Sequence, residues 1–156
     1  MADERLDDID VRILRVLSAH PRASVTRIAE LARLARGTVN TRLARMESIL
    51  SPYERRVPPA SLGLTLTAFV QVQAVALIGD ELATGLADIP EVIEAFGTSG
   101  DWSVLVRIAA HDAADLYRVN ERIQAIAGVE RTALTLAMRA LVAPRMAPLL
   151  DGYAAD

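Results

Sequence analysis

The chain contains no cysteine. That absence removes disulfide staples, thiolate zinc sites and cysteine nucleophiles together, and it suits a reducing compartment, so a cytoplasmic location is expected. Lysine is absent as well: all 17 basic residues are arginine. No secretory signal is visible, because acids and arginines stand in residues 1–15 where an apolar segment would be needed. Phosphate-cradling glycine loops and nucleophile elbows are missing. The two histidines, His20 and His111, fall in different predicted domains, and Asp112 with Asp115 reads as a helix start rather than a carboxylate pair. No enzymatic activity, cofactor or metal is expected.

What the chain does have is apolar residues. At 52% hydrophobic over 156 residues it can bury one core or two small ones. The most apolar stretch, LGLTLTAFVQVQAVALIG at 62–79, is about as long as a membrane span. Thr65, Thr67, Gln71 and Gln73 recur through it at alternate positions, the pattern of a half-buried strand. It reads as sheet, and no membrane partner is expected.

Charge is unevenly placed. Residues 1–50 sum to +2 and residues 51–156 to −5, giving the overall −3, and between 22 and 45 six arginines meet a single glutamate. A basic patch inside an anionic protein is the pattern of one face meeting a polyanion.

Three short helices precede a break. Asp7 is a predicted N-cap with Asp10 at the third helical position, and Ile9, Ile13, Val16 and Leu17 follow at helical spacing until His20-Pro21. Ser24 starts a second helix whose apolar side is Val25, Ile28, Ala29 and Leu31. A turn over Leu34-Ala35-Arg36-Gly37 leads to a third helix from Thr38 to about Glu47, with Val39, Leu43 and Met46 inward. SPYERRVPPASLG at 51–63, with three prolines, reads as a linker. Strand alternation then runs from Leu64 to about Ala76, followed by a helix at Asp80–Asp88, strands at Glu91–Gly97 and Trp102–Ala110, a helix capped by Asp112 and ended by Gly128, and a strand from Val129 to about Met138. This β-α-β-β-α-β order is the ferredoxin-like split unit, an antiparallel sheet with both helices on one face.

With Val39, Leu43 and Met46 buried, the third helix leaves Thr38, Asn40, Thr41, Arg42 and Arg45 outside or on its flanks, carrying hydroxyl, amide and guanidinium groups suited to base edges and phosphates. Arg36 and Gly37 sit at its entrance, where glycine admits close approach of a phosphate to free backbone N–H groups. Two readings stand at this point. One is a helix in a DNA major groove; the other is a solvated basic face whose arginines pair with acids such as Glu47.

Residues 6–47 resemble the helix-turn-helix opening of the Lrp/AsnC, or feast/famine, transcriptional regulators. The resemblance rests on Leu-Asp-x-x-Asp at 6–10, Ile-Leu-x-x-Leu at 13–17, Arg22-x-Ser24 and the Thr-Val-x-x-Arg-Leu helix ending Met-Glu. Leu62-Gly63, Ile-Pro-Glu-Val at 89–92 and Ser-Gly-Asp-Trp at 99–102 resemble that family's effector domain, and the match extends to about residue 142. It implies an α+β protein: an N-terminal (winged) helix-turn-helix domain over 1–50, a linker over 51–63, a C-terminal ferredoxin-like βαββαβ effector and oligomerisation domain over 64–145, and a tail over 146–156. It further implies double-stranded DNA as partner, bound by a homodimer that in many relatives assembles into tetramers or octamers. Paired half-sites would supply affinity and register that a lone helix lacks.

The resemblance also implies an effector, usually an amino acid, bound around the turn of Thr98, Ser99, Gly100, Asp101, Trp102 and Ser103. Here Ser103 stands where the family has an acid, and Ala35 stands where it has a capping serine. For the same turn a plain hairpin, with Trp102 packed under the sheet, is the competing reading. Two alternative functions remain: an architectural DNA-binding protein without an effector, and a small-molecule-binding domain whose basic head meets a protein.

Overall fold

The structure is a computed structural model that describes residues 6–75 and 80–153. It divides into two compact units, residues 1–56 with 142–156 and residues 57–141.

The first unit, the head, is built from α1 (Asp8–Ala19), α2 (Val25–Ala32), α3 (Arg36–Met46) and α6 (Ala147–Gly152). No β-strand, and hence no wing, is present among its described residues. The expected cap of α1 is present in reciprocal form. The Asp7 side chain accepts from the N–H groups of Ile9 and Asp10, and the Asp10 carboxylate accepts from the Asp7 N–H at 2.9 Å. Ile13, Ile28, Ala29, Val39 and Met46 form the core, with Ile9, Leu17, Leu34 and Leu43 packed around it. Leu31, expected inward, is exposed, and Ala32 takes its place on the buried side. In the expected tail over 146–156, the described residues 146–153 contain α6 and bond back to the rest of the head. In α6 the orphan carbonyls of the last turn, Leu150 and Asp151, accept from Arg15 of α1 at 2.7 and 3.1 Å, and the Tyr153 hydroxyl donates to the Leu6 carbonyl.

Asp10 is completely buried, and this decides how the head holds together. A buried carboxylate is costly unless it is paired and hydrogen-bonded. Arg45 of α3 bonds it directly, Arg42 lies 3.5 Å from its other oxygen, and Arg42 also bonds Asp7. The acids that cap α1 therefore also fix α3.

Within residues 51–63 the expected linker forms two short 3₁₀ turns, Tyr53–Arg56 and Pro59–Leu62, the second closed by Gly63 at φ +83°. The second unit, the body, contains β1 (Leu66–Ala74), α4 (Asp80–Ala87), β2 (Val92–Gly97), β3 (Val104–Ala110), α5 (Ala113–Gln124) and β4 (Val129–Leu136). The strands are all antiparallel in the order β2-β3-β1-β4, the ferredoxin-like arrangement. β1 starts two residues later than expected because the Leu64 N–H bonds Pro59 and the Thr65 hydroxyl bonds the His111 carbonyl. Its expected end at Ala76 lies outside the described residues. α5 ends with Ala125 as its cap, and Gly128, at φ +85°, serves instead the turn into β4.

One sheet face is dry. Ala68, Val70 and Val72 from β1 and Val104, Val106 and Ile108 from β3 pack on Leu82 and Leu86 of α4 and Leu116, Val119 and Ile123 of α5. Gly85 lets α4 come close to the loop after α5, since a Cβ there would lie 2.9 Å from Ile126. Among the described residues no helix is long and apolar enough to cross a membrane.

Replacing Asp10 by Ala takes from Arg45 the buried carboxylate that it bonds, takes from Arg42 its longer-range partner while leaving it Asp7, and opens the cap. Loss of one partner of a buried pair costs about 3–5 kcal/mol. Hydrogen exchange on the full chain should show α1 and α3 losing protection while β1 and β3 keep theirs; equal protection in α1 and α3 would refute the role given to Asp10.

Two carboxyls link the stability of the body to pH. Glu91 is held below its ordinary 4.5 first by the Arg118 hydrogen bond, and Asp115 below its ordinary 3.8 first by the His111 N–H and then by Arg118. Carboxyls depressed in the folded state contribute stability above those ordinary values and lose it as pH falls through the folded ones. The melting temperature followed by Trp102 fluorescence should therefore fall on acidification through the carboxylate range, and Glu91→Gln should flatten that slope. An unchanged slope would exclude the Glu91 contribution.

Candidate nucleic-acid interface

The surface that matters is made by α2, a tight turn and α3. Ser24 caps α2, its hydroxyl oxygen accepting from the Arg27 N–H at 3.3 Å. The chain then turns at Arg33, which adopts the left-handed conformation at φ 53°, ψ 53°, and the Leu34 N–H bonds back to Ala29 at 2.9 Å. Leu34 joins the core, which fixes the angle at which the next helix departs.

α3 begins at Arg36, two residues before the expected Thr38, so Arg36 and Gly37 belong to its first turn rather than to the loop. Ala35 at the N-cap offers no side-chain hydrogen bond, as its methyl group dictates. The first N–H groups of a helix have no acceptor within it, so an uncapped start presents donors and the positive end of the helix dipole.

The side chains divide into two sets. Arg36, Gly37, Asn40 and Thr41 are exposed, and Thr38 is half-buried at their edge. The Thr41 hydroxyl donates to the Gly37 carbonyl at 3.0 Å, which leaves its oxygen lone pairs facing outward. Arg42 and Arg45 lie on the flank towards the start of α1, half-buried and engaged with Asp7 and Asp10. The carboxylates bonded by these arginines, Asp7 and Asp10, each lie 35 residues away in sequence. Burial opposes the charge on Asp7, but the Asp10 N–H and Arg42 outweigh it and hold the carboxyl below its ordinary range.

The basic patch is therefore smaller than composition suggests. Arg27 pairs with Glu30 at 3.3 Å, and Arg42 and Arg45 pair with the α1 acids. Among the described residues, Arg22, Arg33 and Arg36 remain exposed with no ion-pair partner. Of these, Arg36 is an expected DNA contact, whereas Arg22 enters only the charge count and the Arg22-x-Ser24 motif, and Arg33 only the charge count. The conformation of Arg33 has no sequence signal, because glycine and asparagine are the residues that announce such a turn.

In the body, residues 98–103 do form a turn. Gly100 has φ +112°, the Thr98 N–H bonds the Ser103 carbonyl at 2.9 Å, and the Thr98 hydroxyl bonds the Trp102 carbonyl at 2.6 Å. Thr98, Ser99, Asp101 and Trp102 line an open cleft of about 220 Å³ with Gln71 and Leu105. Ser103 does not line it. Its hydroxyl takes the Ala74 N–H at 3.2 Å and faces the Ala74 carbonyl at 3.3 Å, so it staples β3 to β1. Trp102 is not packed beneath the sheet but lies against the Arg131 guanidinium, 4.6 Å from the ring centre, and Arg131 in turn bonds Gln73 at 2.6 Å.

The histidines fall in different units, His20 at the end of α1 and His111 bonded to the Gly63 carbonyl. Among the described residues no group of three His, Asp or Glu is placed to hold a metal.

Comparison with known proteins agrees with this geometry in both units. Residues 6–47 match the AsnC-type helix-turn-helix domain and residues 67–146 the Lrp/AsnC ligand binding domain. The HTH-type transcriptional regulator Rv2324 of Mycobacterium tuberculosis is 33% identical over 148 residues, covering 93% of this chain and 99% of that protein. The HTH-type transcriptional regulator FL11 of Pyrococcus horikoshii is 30% identical over 129 residues, covering 81% and 85%. Among solved structures, a feast or famine regulatory protein from M. tuberculosis complexed with L-methionine superposes with a TM-score of 0.78 at 30% identity, covering 90% of this chain and 97% of that one. A helix-turn-helix head with an exposed α3, a ferredoxin-like body and these two matched domains make the chain a member of the Lrp/AsnC family of transcriptional regulators.

Proposed function

We propose that the chain is a cytoplasmic, sequence-specific DNA-binding regulator that works as a homodimer or a higher assembly and is modulated by a small molecule such as an amino acid. The observation that carries the DNA reading is the division of side chains on α3. Arg36, Asn40 and Thr41 point outward beside the open helix start, with Gly37 between them, while Arg42 and Arg45 are tied to α1. Asn and Thr read base edges in the major groove, and Arg36 with the free N–H groups meets phosphates. Thr38 sits at the rim of the same surface. Arg42 and Arg45 set the pose of α3 through Asp7 and Asp10 and stay open enough on the flank to reach the DNA backbone.

Dimerisation is supported by the second sheet face. The helices cover one side, and on the other Phe69, Leu105 and Phe96 stand in neighbouring strands, Phe96 paired directly with Leu105 and 54% exposed. An apolar centre of this kind gains from cover by a second copy. The effector reading rests on the 98–105 cleft, where Asp101 suits an ammonium group and Thr98 and Ser99 offer hydroxyls. The methionine complex of the M. tuberculosis relative supports the ligand class.

Selection from a random duplex pool should return sites with two-fold symmetry, half-site centres lying about one helical turn or a multiple of it apart. Asn40→Ala or Thr41→Ala should then cost about 1–3 kcal/mol on the selected site and little on random duplex. Enrichment of no sequence, or equal loss on both duplexes, would defeat base reading by α3.

For the effector, amino acids added singly should include one that raises the body's melting temperature, since a ligand specific for the folded state stabilises it. Asp101→Ala should abolish that rise. A rise that survives the substitution would place the ligand elsewhere.

A further inference from the structure

Arg33 is the one non-glycine residue with positive φ among the described residues. The conformation is imposed from outside the residue. Its own N–H bonds the Glu30 carbonyl, the following N–H of Leu34 bonds Ala29, the Leu34 side chain is drawn into the core, and Arg12 of α1 donates to the carbonyls of Ala32 and Arg33. A helix ending this way normally carries glycine or asparagine, because a Cβ in the left-handed region meets the following carbonyl. Arginine thus occupies a position where the backbone favours another residue. Its guanidinium is exposed and has no hydrogen-bond or ion-pair partner among the described residues. Strained residues held by their surroundings cluster where the side chain has a task.

Its place indicates the task. Arg33 lies in the turn three residues ahead of Arg36, the first residue of α3, and of the six arginines between 22 and 45 only Arg22 and Arg36 share its exposed, unpaired state. The helix before a recognition helix crosses the DNA backbone while the N-terminal residues of the recognition helix enter the groove, so the turn between them faces phosphate. We infer that Arg33 is a dedicated phosphate-binding residue, held in a strained turn so that its guanidinium clamps the DNA backbone beside the N-terminus of α3 and fixes the depth of that helix. The inference rests on the DNA-binding reading of the head and adds a contact to it.

Three full-length variants test it. In Arg33→Gly and Arg33→Asn the turn is relieved and the charge removed; in Arg33→Lys the charge remains. The Gly and Asn variants should melt no lower than the native chain, yet bind duplex DNA about tenfold or more weakly per head, the same factor applying to a selected site and to random duplex. The slope of log affinity against log salt should flatten by about 0.9 per head, and Arg33→Lys should keep most of the native slope. Native affinity and slope in the Gly and Asn variants would overturn the assignment. So would a fall in melting temperature, which would give Arg33 a role in folding, a loss confined to the selected site, which would mark a base contact, or a loss in Gly that Asn restores, which would mark turn stiffness. If the native chain itself shows no salt-dependent affinity for duplex DNA, the DNA-binding reading fails before Arg33 is reached.

Discussion

A carboxylate with no solvent contact must find its hydrogen bonds inside the protein, and Asp10 finds them on two elements at once. Towards α1 it closes the reciprocal cap with Asp7; towards α3 it takes Arg45 and, at longer range, Arg42. Apolar packing among Ile13, Ile28, Val39 and Met46 is non-directional, so it would tolerate rotation of α3 about its own axis. The ion network does not. It ties the flank carrying Arg42 and Arg45 to a fixed point, and the face carrying Asn40 and Thr41 is then aimed outward by helical geometry alone.

That arrangement changes how the arginine content is understood. Six arginines in two dozen residues suggest one large cationic surface, yet three are neutralised by acids, two of them by residues outside the basic stretch. The charge left over lies at Arg22, ahead of α2, and at Arg33 and Arg36, in the turn before α3 and at its first residue, rather than along α3. Cationic groups at the helix start and polar groups along the helix match the separation of labour between phosphate contacts, which position, and base contacts, which specify.

The body applies one principle to two faces. Alternation along β1 and β3 sends valine, isoleucine and alanine to the side that α4 and α5 cover, and sends Phe69, Gln71, Leu105 and Arg107 to the other. The first face is a finished core. The second, with Phe96 beside Leu105 and the 98–105 cleft at its end, presents both apolar area and polar side chains. Ser103 shows how one turn serves two ends: its hydroxyl binds β1 to β3, and the residues just before it line the cleft.

Local rules were enough for the cap at Asp7, the start of α2 at Ser24, the buried positions of α3 and the βαββαβ order, because capping, helical spacing and strand alternation act over a few residues and leave their mark in the order of residue types. Contacts between distant segments leave no such mark. That Asp10 would be shared with Arg42 and Arg45, that Arg15 would bind the end of α6, and that Ser103 would be spent on Ala74 followed only from where the packed chain brought those groups. The left-handed turn at Arg33 belongs with them: nothing in arginine announces it, and it exists because Leu34 is pulled into the core and Ala29 accepts its N–H. Sequence determined which helices and strands form and which of their faces are apolar; the tertiary structure alone decided which charges are cancelled and which are left to act.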